Sequence, residues 1–274
     1  MRISVIVTTY NRPDALALVL DGLLEQTDPD YEIIVADDGS GAPTKEVVQT
    51  RQARSRVLLL HVWQPDEGFR AAAVRNLGVL AASGDYIVFL DGDCIPRPDF
   101  VANHRRLAEA GYLVSGSRVL LDKDLSAELA AHAQAAPAPQ RWPLWRWLWL
   151  RLSGRSNKFF PLIGLPDHPW RRHKSVRWRR IKSCNLAVWK SDLIKVNGFD
   201  EVFVGWGHED ADLVLRLANA GLGRKSGAFA TEVLHLWHKE NGRAAEEANR
   251  RRVELRQTDG TMRAESGLAE NGVA

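Results

Sequence analysis

A chain of 274 residues, 45% hydrophobic and 26% charged, is long enough to bury a full α/β catalytic core and has the composition of neither a disordered chain nor a fibrous repeat. Its formal charge of +3 is unevenly spread: Arg and Lys crowd residues 141–190, whereas acids dominate Asp85 to Asp99 and Glu201 to Asp212, which points to two different partners. Two cysteines, Cys94 and Cys184, are too few for a disulfide framework, and no window reaches the ~18 apolar residues of a membrane span.

The N-terminal stretch MRISVIVTTYN is too short in apolar length for a signal peptide, and with the low cysteine count it implies a cytoplasmic location. Ile3 to Val7 is a β-branched run that reads as a strand buried on both faces, and Leu16, Leu20, Leu23 and Leu24 give Asp14 to Leu24 helical spacing. The alternation continues with strands at Glu32 to Ala36, Val57 to Val62 and Tyr86 to Leu90, and helices at Lys45 to Ala53 and Arg70 to Ala82. Repeated β-α units imply a parallel sheet with right-handed crossovers. The strand ends carry Thr8-Thr9-Tyr10, Asp37-Asp38-Gly39-Ser40 and Asp91-Gly92-Asp93, so three polar clusters converge on the edge where such sheets bind ligands.

Beyond Asp99 the pattern loosens. A helix is expected around Phe100 to Ala110, a strand at Tyr112 to Ser115, and an Ala-rich stretch from Leu125 to Ala136 that ends at Pro137 and Pro139. Residues 141–180 interleave Trp with Arg and Lys and read as an insertion. A strand at Ile181 to Trp189, a turn at Asn197-Gly198-Phe199-Asp200 and a helix from Glu209 to Ala220 stopped at Gly221 follow. A last strand at Glu232 to Leu236, a charged helix over Arg243 to Arg256 and a disordered tail from Thr258 complete the chain.

Asp91 and Asp93 leave a tight turn one Gly apart, a spacing that suits Mg²⁺ or Mn²⁺, although an isolated acidic turn also serves as a solvated connection. Their setting is more specific. Thr8-Thr9-Tyr10-Asn11-Arg12, Ile33-Ile34-Val35-Ala36-Asp37-Asp38-Gly39-Ser40, Arg75-Asn76-Leu77-Gly78, Ala82-Ser83-Gly84-Asp85-Tyr86 and Phe89-Leu90-Asp91-Gly92-Asp93 together resemble the family 2 glycosyltransferases of the GT-A fold, over roughly residues 2–100. The resemblance implies an α/β fold of GT-A type, with a mostly parallel central sheet flanked by helices. It further implies that Thr8 and Tyr10 line the nucleotide base, with Arg12 in the same donor-side group. Asp38 would meet base or ribose, Arg75 would approach the nucleotide, Asp91 would lie at ribose and metal, and Asp93 would ligate the metal.

A second signature is Gly198-Phe199-Asp200 followed by Gly205-Trp206-Gly207-His208-Glu209-Asp210-Ala211-Asp212-Leu213 and Arg216-Leu217. It is similar to the acceptor-side motif of β-1,4-galactosyltransferases and chondroitin-type polymerases. By that resemblance Asp210 is the general base toward the acceptor hydroxyl, Glu209 its acidic neighbour, and Trp206 a flat wall for a sugar ring beside Gly207 and His208. His208 replaces a second small Gly of that pattern, so the acceptor pocket differs there. Acids in the first helical turn are also favoured by the helix dipole alone, and Asp212 can pair with Arg216 at i,i+4. His235 and His238 flank Leu236-Trp237 after the last strand, where GT-A enzymes supply a His to the metal; both are candidate ligands.

The Trp/Arg segment admits three readings: core or oligomer packing, a nucleic-acid patch, or a surface on an anionic membrane or glycolipid. Trp142, Trp145, Trp149 and Leu152 recur at helical spacing with Arg141, Arg146 and Arg151, which fits an interfacial helix and a peripheral place on the inner face of the cell membrane. A nucleic-acid role lacks any reading module.

The combined reading is one catalytic domain over residues 1–257. It comprises a nucleotide-sugar-binding half to residue 100, an acceptor-binding half over 101–240 with the insertion at 141–180, and a charged helix over 241–257, with a tail at 258–274. Its expected activity is inverting, metal-dependent transfer of a hexose from a nucleotide-sugar, UDP-linked, to a glycan or lipid-linked glycan acceptor in polysaccharide or lipopolysaccharide assembly. A nucleotidyltransferase or sugar-phosphate synthase is the rival enzyme class, but these carry a Gly-rich basic loop that Thr8-Thr9-Tyr10-Asn11-Arg12 is not. A catalytically silent glycan binder is the non-enzymatic rival.

Overall fold

Period-two alternation sorts the first strands between two hydrophobic cores. In the computed structural model, which describes residues 1–131, 142–158, 164–239 and 245–272, β1 (Ile3–Thr9), β2 (Tyr31–Asp37) and β4 (Tyr86–Asp91) are almost wholly buried. Val5, Val7, Ile33, Val35, Val88 and Leu90 join one core, and Ile6, Ile34, Ala36, Ile87 and Phe89 the other. A strand covered on both faces therefore reads as one continuous apolar run.

With β3 (Leu59–Trp63), these strands pair in parallel in the order β3-β2-β1-β4. The expected crossover helices are α1 (Pro13–Leu24), α2 (Ala42–Gln52) and α3 (Ala71–Ala81). The order reverses beside β1, and its register with both neighbours sets Thr9 against Asp37 and Thr8 against Asp91. This is the switch point at which open α/β sheets bind ligands.

The sheet is mixed further on. β9 (Asn185–Trp189) inserts antiparallel between β4 and β6 (Tyr112–Ser115). β10 (Gly223–Ser226) then pairs parallel with β6, and β8 (Arg172–His173) closes the edge antiparallel. The strand expected from Ile181 begins only at Asn185, after a short helical turn over Trp178–Arg180. A second, three-stranded sheet sets β11 (Glu232–His235) between β5 (Cys94–Pro96) and β7 (Ser117–Leu120).

α4 (Phe100–Leu107) is shorter than expected, and α5 (Lys123–Ala131) covers the described part of the Ala-rich stretch. Residues 132–136, Pro137, Pro139, Arg141 and Arg243 lie outside the described residues. α6 (Leu144–Leu152) forms in the Trp-rich segment. Trp142 precedes it and is buried beside Trp147, so of the four spaced residues Trp145, Trp149 and Leu152 are exposed, whereas Trp142 packs inward with Trp147 and Leu150. No helix among the described residues is long and apolar enough to cross a membrane.

α7 (Lys190–Lys195), α8 (Glu209–Asn219) and α9 (Glu246–Asp259) complete the helices. The expected disordered tail is packed instead. Past Gly260, Leu268 is 1% exposed, its amide N–H donates to the Asn197 carbonyl, and the Glu265 and Ser266 amides donate to the Asp200 carboxylate. Arg256 of α9 donates to Asp212 at 2.5 Å, to Asp200 at 2.7 Å and to Glu265 at 2.9 Å, clamping the tail to the turn before α8. A polar stretch with a single well-placed Leu carries no periodic signal, which is why it reads as a tail.

His104 of α4 is fully buried, edge-on to Phe100, and its Nε2–H donates to Asn185 Oδ1 at 3.2 Å. Burial pushes its pKa down from 6.5 to about 3, so the unfolded chain takes up a proton that the folded chain refuses. The stability from the neutral ring is complete above about pH 6.5 and is lost as pH falls toward 3. Urea unfolding at a series of pH values should show the wild type losing up to ~1.4 kcal/mol per pH unit more than His104→Gln in this window. Parallel curves would refute the assignment.

Candidate active site

Asp91-Gly92-Asp93 bridges the two sheets, joining β4 to β5. The Gly92 amide donates to the Thr8 carbonyl at 2.7 Å, and a Cβ at Gly92 would lie 2.9 Å from that oxygen and 3.1 Å from Thr9 Oγ1. Only Gly lets the turn close so tightly on β1. The antiparallel pairing of β5 with β11 sets His235 opposite Cys94, and the Leu236 amide donates to the Asp93 carbonyl at 2.9 Å. This register brings His235 Nε2 to 3.8 Å and His238 Nε2 to 3.4 Å from the Asp93 carboxylate.

Asp93, His235 and His238 offer ligand atoms that all lie within 4.8 Å of one another. His238 Nδ1 contacts the Lys239 carbonyl at 3.0 Å. A carbonyl can only accept, so Nδ1 carries a proton, which leaves Nε2, the nitrogen nearer Asp93, as the one that a metal would take. Burial lowers the His235 pKa against the opposing pull of Asp93, which favours the neutral, ligating ring. Asp91 stands outside this trio and is engaged by Arg75.

Arg75 joins the acids of β4 to those of α8. Its guanidinium is buried, with Nε donating to Thr8 Oγ1 at 3.2 Å, Nη2 to Asp91 at 3.1 Å and Nη1 to Glu209 at 3.1 Å. The carboxylates of β4 and α8 thus share one cation, and the guanidinium sits 5.4 Å from the Phe199 ring. Burial works against its charge, but Asp91, Glu209 and Asp210 outweigh it and raise the Arg75 pKa.

Glu209 and Asp210 open α8. The turn before them needs left-handed backbone at Gly205, Gly207 and His208, with φ of 79°, 102° and 74°. His208 takes there a conformation that Gly occupies freely. Asn249 of α9 holds this turn by donating to the carbonyls of Val204 and Gly207. Burial first, then the Asp210 charge, raises the Glu209 pKa against the pull of Arg75. Glu209 Oε2 is buried with no hydrogen-bond partner among the described residues. Asp210 Oδ2 accepts from the Ser183 amide at 3.4 Å and lies 3.9 Å from Lys182 Nζ. Trp206 is half-buried in the same turn.

Among the residues expected on the donor side, Asp38 is buried and accepts from Gln64 Nε2 at 2.5 Å and from the Arg70 amide at 2.9 Å, with burial raising its pKa. Exposed Tyr10 donates its hydroxyl to Asp66 at 2.8 Å. Arg12 pairs with Asp14 in the first turn of α1, an interaction that does not involve the other donor-side residues. Gln64, Asp66 and Lys182 were not read from the sequence. The first two lie just past the carboxyl end of β3, on the ligand-binding edge, so strand position signals them; Lys182 carries no local signal.

Residues 4–163 match glycosyl transferase family 2, and residues 171–239 match the N-terminal domain of galactosyltransferase. Validoxylamine A glucosyltransferase of Streptomyces hygroscopicus subsp. jinggangensis is 31% identical over 232 residues, which is 80% of this chain and 52% of that protein. Chondroitin synthase of Escherichia coli is 30% identical over 242 residues, 80% of this chain and 32% of that one. The chain thus spans about half the length of such relatives, or less. A mannosyltransferase from Pyrobaculum calidifontis, solved with GDP-Man and Mn2+, superposes with a TM-score of 0.60 at 19% identity, over 97% of this chain and 65% of that one. S. aureus TarS with UDP-GlcNAc gives 0.60 at 15%, over 98% and 69%. The architecture is accordingly GT-A, and the chain belongs to glycosyl transferase family 2.

Proposed function

We propose that the chain transfers a hexose from a nucleotide-sugar, UDP-linked, to a hydroxyl of a glycan acceptor with inversion, in the assembly of a cell-surface polysaccharide or lipopolysaccharide. The observation that carries this reading is the shared cation. Arg75 binds Asp91, beside the prospective metal ligands, and Glu209, beside the prospective base, at 3.1 Å each. The matches to a nucleotide-sugar transferase family in the first half and to a galactosyltransferase domain in the second support the same division.

Asp93, His235 and His238 would hold a divalent cation. Mg²⁺ prefers an all-oxygen shell, so two imidazoles favour Mn²⁺. When bound, the cation neutralises the charge that develops on the departing diphosphate. Asp38, with Thr8 and Tyr10, borders the region proposed for the nucleoside. Asp210 takes the acceptor proton at Oδ2, where the Ser183 amide fixes the carboxylate. The acceptor oxygen forms its bond to the anomeric carbon as the bond to the diphosphate breaks, and the electron pair leaves with the nucleoside diphosphate. Single displacement needs no protein nucleophile. Glu209 holds Arg75 in place, while Trp206, Gly207 and His208 border the acceptor sugar.

Asp210→Asn should lower turnover by roughly 10²–10⁴-fold, the usual contribution of a general base, while UDP-sugar binding in the presence of Mn²⁺, followed by calorimetry, stays nearly unchanged. Wild-type turnover in this variant would remove Asp210 from the mechanism.

His238→Ala should weaken Mn²⁺ binding by at least roughly tenfold, measured by electron paramagnetic resonance titration of free Mn²⁺, with little change in thermal stability because the ring is partly exposed. Unaltered Mn²⁺ affinity would exclude His238 as a ligand.

A further inference from the structure

α6 carries an apolar face that the described residues leave exposed. Leu144, Trp145, Leu148, Trp149 and Leu152 are 60%, 70%, 39%, 54% and 76% exposed, whereas Trp147 and Leu150 on the same helix are each 1% exposed and packed into the core. At about 100° per residue the five exposed side chains occupy a continuous arc of about 140°. Arg146 falls at one margin of that arc, between Trp149 and the inward Leu150. Arg151 falls at the other margin, between the inward Trp147 and Leu144. The helix LWRWLWLRL contains no acid. Arg146 is stacked on Trp142, its guanidinium carbon 3.7 Å from the ring centroid, and Arg151 is exposed.

An apolar strip with Trp rings, edged on both sides by guanidinium groups and free of carboxylates, is complementary to a layered surface, apolar inside and anionic at its rim. A packing partner made of protein would not require a cation along each margin.

The segment that leaves α6 is pinned next to the metal-binding trio. Ser156 bridges to Leu121, the Asn157 amide donates to the Leu120 carbonyl, and Leu120 pairs with His235 across β7 and β11. The helix therefore has a fixed place relative to His235.

We propose that α6 docks the protein on an anionic membrane. Its Trp/Leu face enters the headgroup layer and Arg146 and Arg151 meet lipid phosphates, so that the site works on a glycan carried by a lipid. The docking stands on the helix alone; the lipid-borne acceptor rests on the proposed transfer reaction.

The test is co-sedimentation of the full chain with phosphatidylcholine vesicles, with and without phosphatidylglycerol, at low and high salt, alongside quenching of Trp fluorescence by brominated acyl chains. The wild type should sediment with the anionic vesicles, release at high salt and be quenched. Trp145→Gln/Trp149→Gln should lose at least roughly tenfold in vesicle binding while keeping its thermal stability and Mn²⁺ affinity. Absence of sedimentation with anionic vesicles at low salt overturns the proposal. So does equal sedimentation of the double variant, or a dimer by light scattering that the double variant dissolves without vesicle binding. No arm requires turnover, so failure of the transfer reaction and failure of docking are read separately.

Discussion

A buried guanidinium surrounded by acids is the constraint on which the site depends. Arg75 is removed from water with Asp91, Glu209 and Asp210 around it. A buried charge is tolerated only when its partners are well placed. Those partners come from β4 and α8, and Arg75 reaches Glu209 across 134 positions of sequence. The carboxylates of β4 and α8 are therefore not two independent groups on one scaffold, because both are paired with the cation they share. A hydrogen bond to Thr8 adds β1 to the same node.

Around that node, two long-range features bring the remaining side chains into range. The small β5-β11-β7 sheet brings His235 and His238 to Asp93, with β5 and β11 in antiparallel register. On the other side, α9 and the C-terminal segment grip the turn before α8 through Arg256 and Asn249. The left-handed backbone at His208 is held by that grip and by the following helix. A residue strained in this way at the mouth of an acceptor region is a specificity element in the proposed reading.

The first hundred residues were legible because strands buried on both faces declare themselves as apolar runs and their ends fall at a common edge. Asp93, His235, His238, Glu209 and Asp210 were readable through motif context, and the structure does bring them into two adjoining groups. The antiparallel entry of β9 was not readable, since pairing partners 95 positions or more apart leave no local periodicity: Leu90 pairs with Asn185 and Tyr86 with Trp189. Arg75 was recognised as a site residue, but its bond to Glu209 was not readable, because sequence names a cation without naming its counter-ions. The inward turn of Trp147 and the docking of Leu268 depend likewise on tertiary contacts that spacing alone does not encode.

The central claim is that Arg75 offsets the buried charge of Glu209, and the most direct measurement is a double-mutant cycle on unfolding free energy. Arg75→Met should cost about 3–5 kcal/mol, as expected when a buried ion pair loses one partner. Glu209→Gln introduced into that background should recover part of the loss, because a neutral side chain needs no counter-ion. The account predicts a coupling energy of roughly 1–3 kcal/mol. A Glu209→Gln effect that is the same with Arg75 and with Met at that position would contradict it.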